Sequence, residues 1–372
     1  MNDLYEEFVK AAFKNTELTE YEKKTIIRLY EQEGQKNIYE FSKNKKILPF
    51  AAALMSQFDT DSRFWDDITL EYKKRNEEII RCLDAVFKKM EERFVNKIFV
   101  SENFGALLLS DSDKSLFASG DVDIYADISQ KSEIYESFRE LGYKIKERYT
   151  QNKLINSSFH NEACLPKEFY FSVCWYPLSR IKLPCFVTAD EFIEWGKLLS
   201  YRSTAIKLAD IESAMYICLM HISLHSFSRA PDIRLYIDIK NISSLSVNWE
   251  KICGFAKRDG TMVRLLTACI LSKKLIEADI PDAILDYRKH YEKQISRILK
   301  IVYDSESNSL LYEPRGLKVL LIEANSNDTG FFYGILDILL PNRNWLREVY
   351  CKNDSNILWG YIKHIRNLLE GG

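Results

Sequence analysis

Two carboxylates, Asp121 and Asp123, stand one residue apart behind a Ser119-Gly120 turn. From Asp121 the residues Asp-Val-Asp-Ile-Tyr-Ala-Asp alternate acidic or polar with apolar, the two-residue period of a strand with one buried face. On such a strand both carboxylates point the same way, with Cα atoms roughly 6.5–7 Å apart. Paired carboxylates on a rigid element suit Mg2+, which takes hard oxygen ligands and is held by one or two carboxylates together with substrate phosphates. An edge strand with a wet acidic face carries the same Asp-x-Asp, so the assignment rests on the surroundings.

Other residue types with chemical potential are more easily explained by packing. His221 and His225 lie four apart, as on a metal-binding helix. The sequence offers them no third ligand, and the expectation is a buried polar pair bonded to a neighbour such as Asp238. Arg234 and Asp238, also four apart, suit a structural ion pair on a helix. Tyr125 and Trp175 could line a pocket for a base or an aromatic acceptor.

The carboxylate strand needs elements to hold it. Residues 1–93 read as helices: Leu4, Phe8, Ala11 and Ala12 recur at helical spacing, and Thr19 followed by Glu22 suits a capping box. Residues 47–58 and 64–94 read as further helices, the second amphipathic. Strands are expected at 97–101, from Asp121, at 143–149, 154–159 and 169–175. Helices are expected at 103–109 and 131–141, the latter ended by Gly142. From Ala189 the pattern is helical again, with 190–199, 206–227, 249–259, 262–278 and 281–302 followed by further helices to 369. The fold class expected is α+β: a small mixed-sheet core at 94–180, inserted between helical regions at 1–93 and 181–372.

Lys+Arg 52 against Asp+Glu 54 gives a net charge of -2, so no global basic field makes nucleic acid an expected partner. The eight cysteines form no Cys-x-x-Cys, and most sit among apolar neighbours, which suits a reducing compartment. No stretch suits a signal region or a membrane span, and a cytoplasmic protein is expected.

In order, these features resemble the bacterial "uncharacterised nucleotidyltransferase" family of the polymerase-beta-like nucleotidyltransferase superfamily. The residues that carry the resemblance run through Leu48-Pro49, Gly120-Asp121-Val122-Asp123, Glu140-Leu141-Gly142-Tyr143 and Val173-Cys174-Trp175. They continue with His221-x-x-x-His225, Arg234 to Ile239 with Trp249, and Leu340-Pro341 through Leu346-Arg347 and Tyr350. The resemblance implies transfer of a nucleoside monophosphate from an NTP to a small-molecule or peptide acceptor, with Mg2+ or Mn2+. Asp121 and Asp123 would be the catalytic, metal-holding pair, and Gly120 and Ser101 would approach the nucleotide.

Three departures accompany the matches. Ser101-Glu102 stands in place of the usual Lys-Gly, Phe117 in place of an Arg before the carboxylate strand, and Ser172-Val173-Cys174-Trp175 in place of Asp/Glu-x-His-Trp. Asp127 lies about 20 Å along the strand from Asp121, and Glu168 about 13 Å from Ser172, too far to supply a third carboxylate. Glu102, at the end of the neighbouring strand, is the expected substitute metal ligand. Two readings stay open: an active transferase, or a catalytically degenerate relative that binds a nucleotide, a peptide or a partner enzyme.

Overall fold

The computed structural model describes residues 2–14, 17–58, 63–150, 153–175, 187, 189–229, 233–303, 313, 315–341, 343–351 and 356–369. The N-terminal helices are α1 (Asn2–Ala12), α2 (Glu20–Asn44), α3 (Leu48–Met55) and α4 (Phe64–Glu92). The capping box forms as expected. The Thr19 hydroxyl accepts from the Glu22 amide at 3.3 Å, and Glu22 accepts from the Thr19 amide at 2.6 Å. Helix α3 is short and apolar, with Pro49 in its first turn where no helical N–H is needed, and it is buried along most of its length.

Strands β1 (Ile98–Val100), β2 (Asp121–Ala126), β3 (Lys144–Thr150), β4 (Lys153–His160), β5 (Tyr170–Cys174), β6 (Leu199–Ser200) and β7 (Lys207–Leu208) form one mixed sheet in the order β3-β4-β5-β2-β1-β7-β6. The β2–β5 and β1–β7 pairs are parallel and the rest antiparallel. Helix α5 (Glu102–Leu109) follows β1, and α6 (Lys131–Glu140) follows β2. A Cβ on Gly105 would lie 3.0 Å from the carbonyl atoms of Val100, so α5 folds back against β1 at a distance only glycine allows. Gly142, with φ 81°, takes the left-handed turn that ends α6.

Alternation sorts the sheet residues between two cores. Val100, Val122, Ile124 and Ala126 pack with the apolar face of α4 and with α6, whereas Phe99 and Tyr125 pack on the other side with the C-terminal helices. Asp121 and Asp123 share the Tyr125 side. The site therefore lies between sheet and C-terminal helices.

Those helices begin with α7 (Ala189–Trp195) and α8 (Ile211–Leu224), the latter apolar nearly all round and buried accordingly. They continue as α9 (Arg234–Ser243), α10 (Trp249–Asp259), α11 (Met262–Ile276), α12 (Asp282–Leu285), α13 (Glu292–Val302), α14 (Leu317–Asn325), α15 (Phe331–Leu339), α16 (Arg343–Tyr350) and α17 (Ile357–Leu369). The α+β class is as expected. Three spans are corrected: 206–227 is not a single helix, because Lys207–Leu208 pairs with β1 and β6 before α8 begins; 190–199 stops at Trp195, with Leu199 in β6; and 281–302 is broken between α12 and α13 by a 3-10 turn, Asp286–His290. Two-residue strands carry no readable period, and the sheet consequently runs past residue 180. Trp175 and Tyr125 are buried in the core. The Trp175 indole N–H donates to Ser157 Oγ at 3.1 Å, and the Tyr125 hydroxyl donates to Glu102 at 2.5 Å. The seven described cysteines are free thiols; Cys185 lies outside the described residues. Among the described residues no helix is long and apolar enough to cross a membrane.

Candidate functional site

The turn that delivers β2 is held from α4. The Arg75 guanidinium donates to the Phe117 carbonyl at 3.2 Å and to the Ser119 carbonyl, and it lies over the rings of Phe169, Tyr72 and Phe117 at 5.2, 5.4 and 5.7 Å. Asn76 adds bonds to the carbonyls of Lys114 at 2.6 Å and Phe117 at 3.1 Å. Phe117 occupies the place of an expected cation, and a cation from another element rests on its ring. Nothing local marks Arg75 for this role: the two carbonyls it holds lie more than forty residues away in the chain.

Ser119 Oγ donates to Asp121 Oδ1 at 2.6 Å, which fixes the first carboxylate at the mouth of the strand. Burial, followed by the charge of Asp121, pushes the Tyr170 phenol up to about 12. Asp123 is partnered by Ser172 across the parallel β2–β5 pair. Its Oδ2 accepts from Asn103 Nδ2 at 3.4 Å, and its carbonyl faces the Ser101 amide at 3.5 Å. Burial, and then the charges of Glu102 and Asp121, push the Asp123 carboxyl up to about 7. Ser101 Oγ is buried with no hydrogen-bond partner among the described residues, and at Gly120 the space a Cβ would occupy is open.

Glu102 does not reach the aspartates as a third ligand. Its backbone sits at φ 52° and that of Asn103 at φ 12°, ψ -87°, a strained entry to α5. That entry turns the Glu102 carboxylate into the interior, where one oxygen accepts from Tyr125 and the other pairs with His221 Nδ1. His221 Nε2 in turn lies 3.0 Å from His225 Nε2. The histidines are thus a partly buried polar pair, and the carboxylate that holds them is Glu102 instead of Asp238. Among the described residues no three His, Cys, Asp or Glu side chains are grouped to hold a metal ion. Asp121 and Asp123 remain as a two-carboxylate donor set.

The same strained turn places Asn103 between two acids. Its side chain meets Asp123 and its backbone N–H faces Asp238. Asn103 and Ser119 also line a cleft of about 320 Å³ walled by α1, α3, the 112–119 loop and α9. Three cations, Lys14, Arg234 and Lys240, line it against two acids, Asp113 and Asp238, and Lys14 is paired with Glu22 at 2.9 Å; Ser119 and Asn103, which bond the two carboxylates, belong to its wall. Lys14 and Lys240 have no motif: α1 and α9 meet only in the folded chain.

No protein-family model, no curated protein and no solved structure matches the chain.

Proposed function

We propose that this chain is a nucleotidyltransferase-like protein that binds a nucleoside triphosphate together with Mg2+ or Mn2+. One observation carries the reading: Asp121 and Asp123 lie on one side of β2 and are bonded to Ser119 and Asn103, two residues that line the cleft. Asp121 and Asp123 would hold the ion, since hard carboxylate oxygens are what Mg2+ prefers. When bound, the ion would neutralise triphosphate oxygens. The chain's own part is to orient: Arg75 fixes the turn, Ser119 and Asn103 fix the two carboxylates, and Gly120 leaves room for a phosphate to approach the backbone.

Binding is favoured over transfer. A third carboxylate beside Asp123 would be needed to hold a second ion at an acceptor hydroxyl, and Ser172 stands there while Glu102 is committed to Tyr125 and His221. Transfer of a nucleoside monophosphate to a small-molecule or peptide acceptor is the second reading, favoured by the presence of both β2 carboxylates on the cleft side. The test is a melting curve with each NTP and Mg2+, paired with pyrophosphate release and intact-mass gain on added acceptors. Stabilisation by an NTP without pyrophosphate release supports the binding reading. Turnover replaces it with the transferase reading. Neither stabilisation nor turnover overturns both.

A further inference from the structure

Asp238 is only 9% exposed, lines the cleft from α9, and its Oδ2 is buried with no hydrogen-bond partner among the described residues. Its other interactions are the Asn103 backbone N–H and the charges of Arg234, Glu102 and His221. Leaving a carboxylate oxygen desolvated and unbonded is costly, so such an atom in a cleft wall marks a bond made by something else. Lys240, two residues further along α9, is half-buried in the same wall. Its ammonium donates to the Phe13 carbonyl at 3.0 Å, and the charge of Glu277 reaches it without an ion-pair contact. Among the described residues, one buried acceptor thus lacks a donor, and one half-buried cation lacks an anion in contact with it.

We propose that the cleft binds a small organic acid that carries a hydroxyl or amino group, with its O–H or N–H on Asp238 and its acid group on Lys240. The volume of about 320 Å³ is at the small end of ligand pockets and suits a molecule of that size. Gln57 and Asn241 supply further hydrogen-bonding groups, and Phe13 and Phe50 an apolar wall. The proposal rests on the preceding reading only in placing this ligand beside the nucleotide; the binding itself needs neither nucleotide nor metal.

The experiment is ligand-observed NMR on the full chain, without nucleotide or metal. Glycolate and L-serine carry both features, acetate carries the acid alone, glycerol carries hydroxyls alone, and guanosine represents a nucleobase. The expected result is that glycolate or L-serine binds about tenfold more tightly than acetate and glycerol, the worth of one charge-assisted hydrogen bond. Asp238→Asn should remove that advantage, and Lys240→Met should weaken glycolate and L-serine while leaving glycerol unchanged. Both variants are accepted only with a melting transition as cooperative as the wild type's; should either fail to fold, the probe series on wild-type protein decides. Absence of binding by both dual-feature probes, affinities equal to those of acetate and glycerol, displacement of both by guanosine, or indifference to a folded Asp238→Asn would each overturn the proposal. Failure here leaves NTP-dependent stabilisation untouched, so the two readings fall separately.

Discussion

Ser172 on β5 is the cross-strand partner of Asp123 on β2. In a parallel pair such partners are roughly 4.8 Å apart with side chains on one face, close enough for two carboxylates to share an ion. Ser172→Asp should therefore raise Mn2+ affinity by at least about tenfold, the worth of one added charged ligand near 1.4 kcal/mol. Titration of paramagnetic Mn2+ measures it. Unchanged affinity in a folded variant would show that the two positions do not converge on one site.

Gly120 has open space where a side chain would start and does not use the left-handed region. Gly120→Ala should leave the fold intact or stabilise it by about 0.4–1 kcal/mol through the unfolded chain. If a phosphate approaches there, NTP-dependent stabilisation should nonetheless drop. Loss of both properties, or of neither, would mean that Gly120 serves only the turn.

Arg75 ties the 117–119 turn to α4 through two carbonyls. Arg75→Ala should cost about 2–3 kcal/mol, since charge-assisted bonds are lost and the carbonyls are left short of a donor. Arg75→Lys should recover only part of that, because a single ammonium cannot reproduce the two-pronged contact. Denaturant melts of the three proteins give the comparison. Equal stability of the lysine and wild-type proteins would refute the clamp.

Glu102 is 4% exposed and engaged by Tyr125 and His221. Glu102→Gln should destabilise the protein by about 1–3 kcal/mol, as expected when a buried charge-assisted contact is broken. Mn2+ affinity should stay within about twofold, a difference of less than 0.5 kcal/mol. A large drop in metal affinity would return Glu102 to the ion's coordination.

Asp238 carries a pH signature. Burial, countered in part by Arg234 and reinforced by the Glu102 charge, pushes its carboxyl up to about 7, whereas an unfolded aspartate titrates near 3.9. Between those values the folded chain keeps a proton that the unfolded chain has released, so stability falls as pH rises through roughly 4 to 7. Asp123, raised to about 7, acts in the same direction. In metal-free buffer the melting temperature should fall from pH 5 to pH 8, and Asp238→Asn should melt higher than wild type at pH 8 with a shallower slope. Parallel curves for the two proteins would rule out Asp238 as a source of the slope.

Short-range chemistry was readable from the residues alone. The two-residue period places Asp121 and Asp123 on one side of a strand, Thr19 and Glu22 write their own cap, and Gly142 marks its helix end, because each depends on neighbours a few positions away. The α+β order of helices, sheet and helices followed from the same local periods. Tertiary structure alone decided what surrounds the carboxylate pair. Whether Glu102 faces the aspartates or the histidines depends on a strained turn at Asn103 and on where α8 packs. That Arg75 stands on Phe117, and that Lys240 and Asp238 share a cleft with the end of α1, follows from contacts between elements distant in the chain. Such contacts are set by how whole faces bury against one another, and they leave no period or spacing for a sequence to display. The carboxylate strand was therefore legible before the fold was known; its two-ligand character and its neighbouring cleft emerged only once the chain had closed around it.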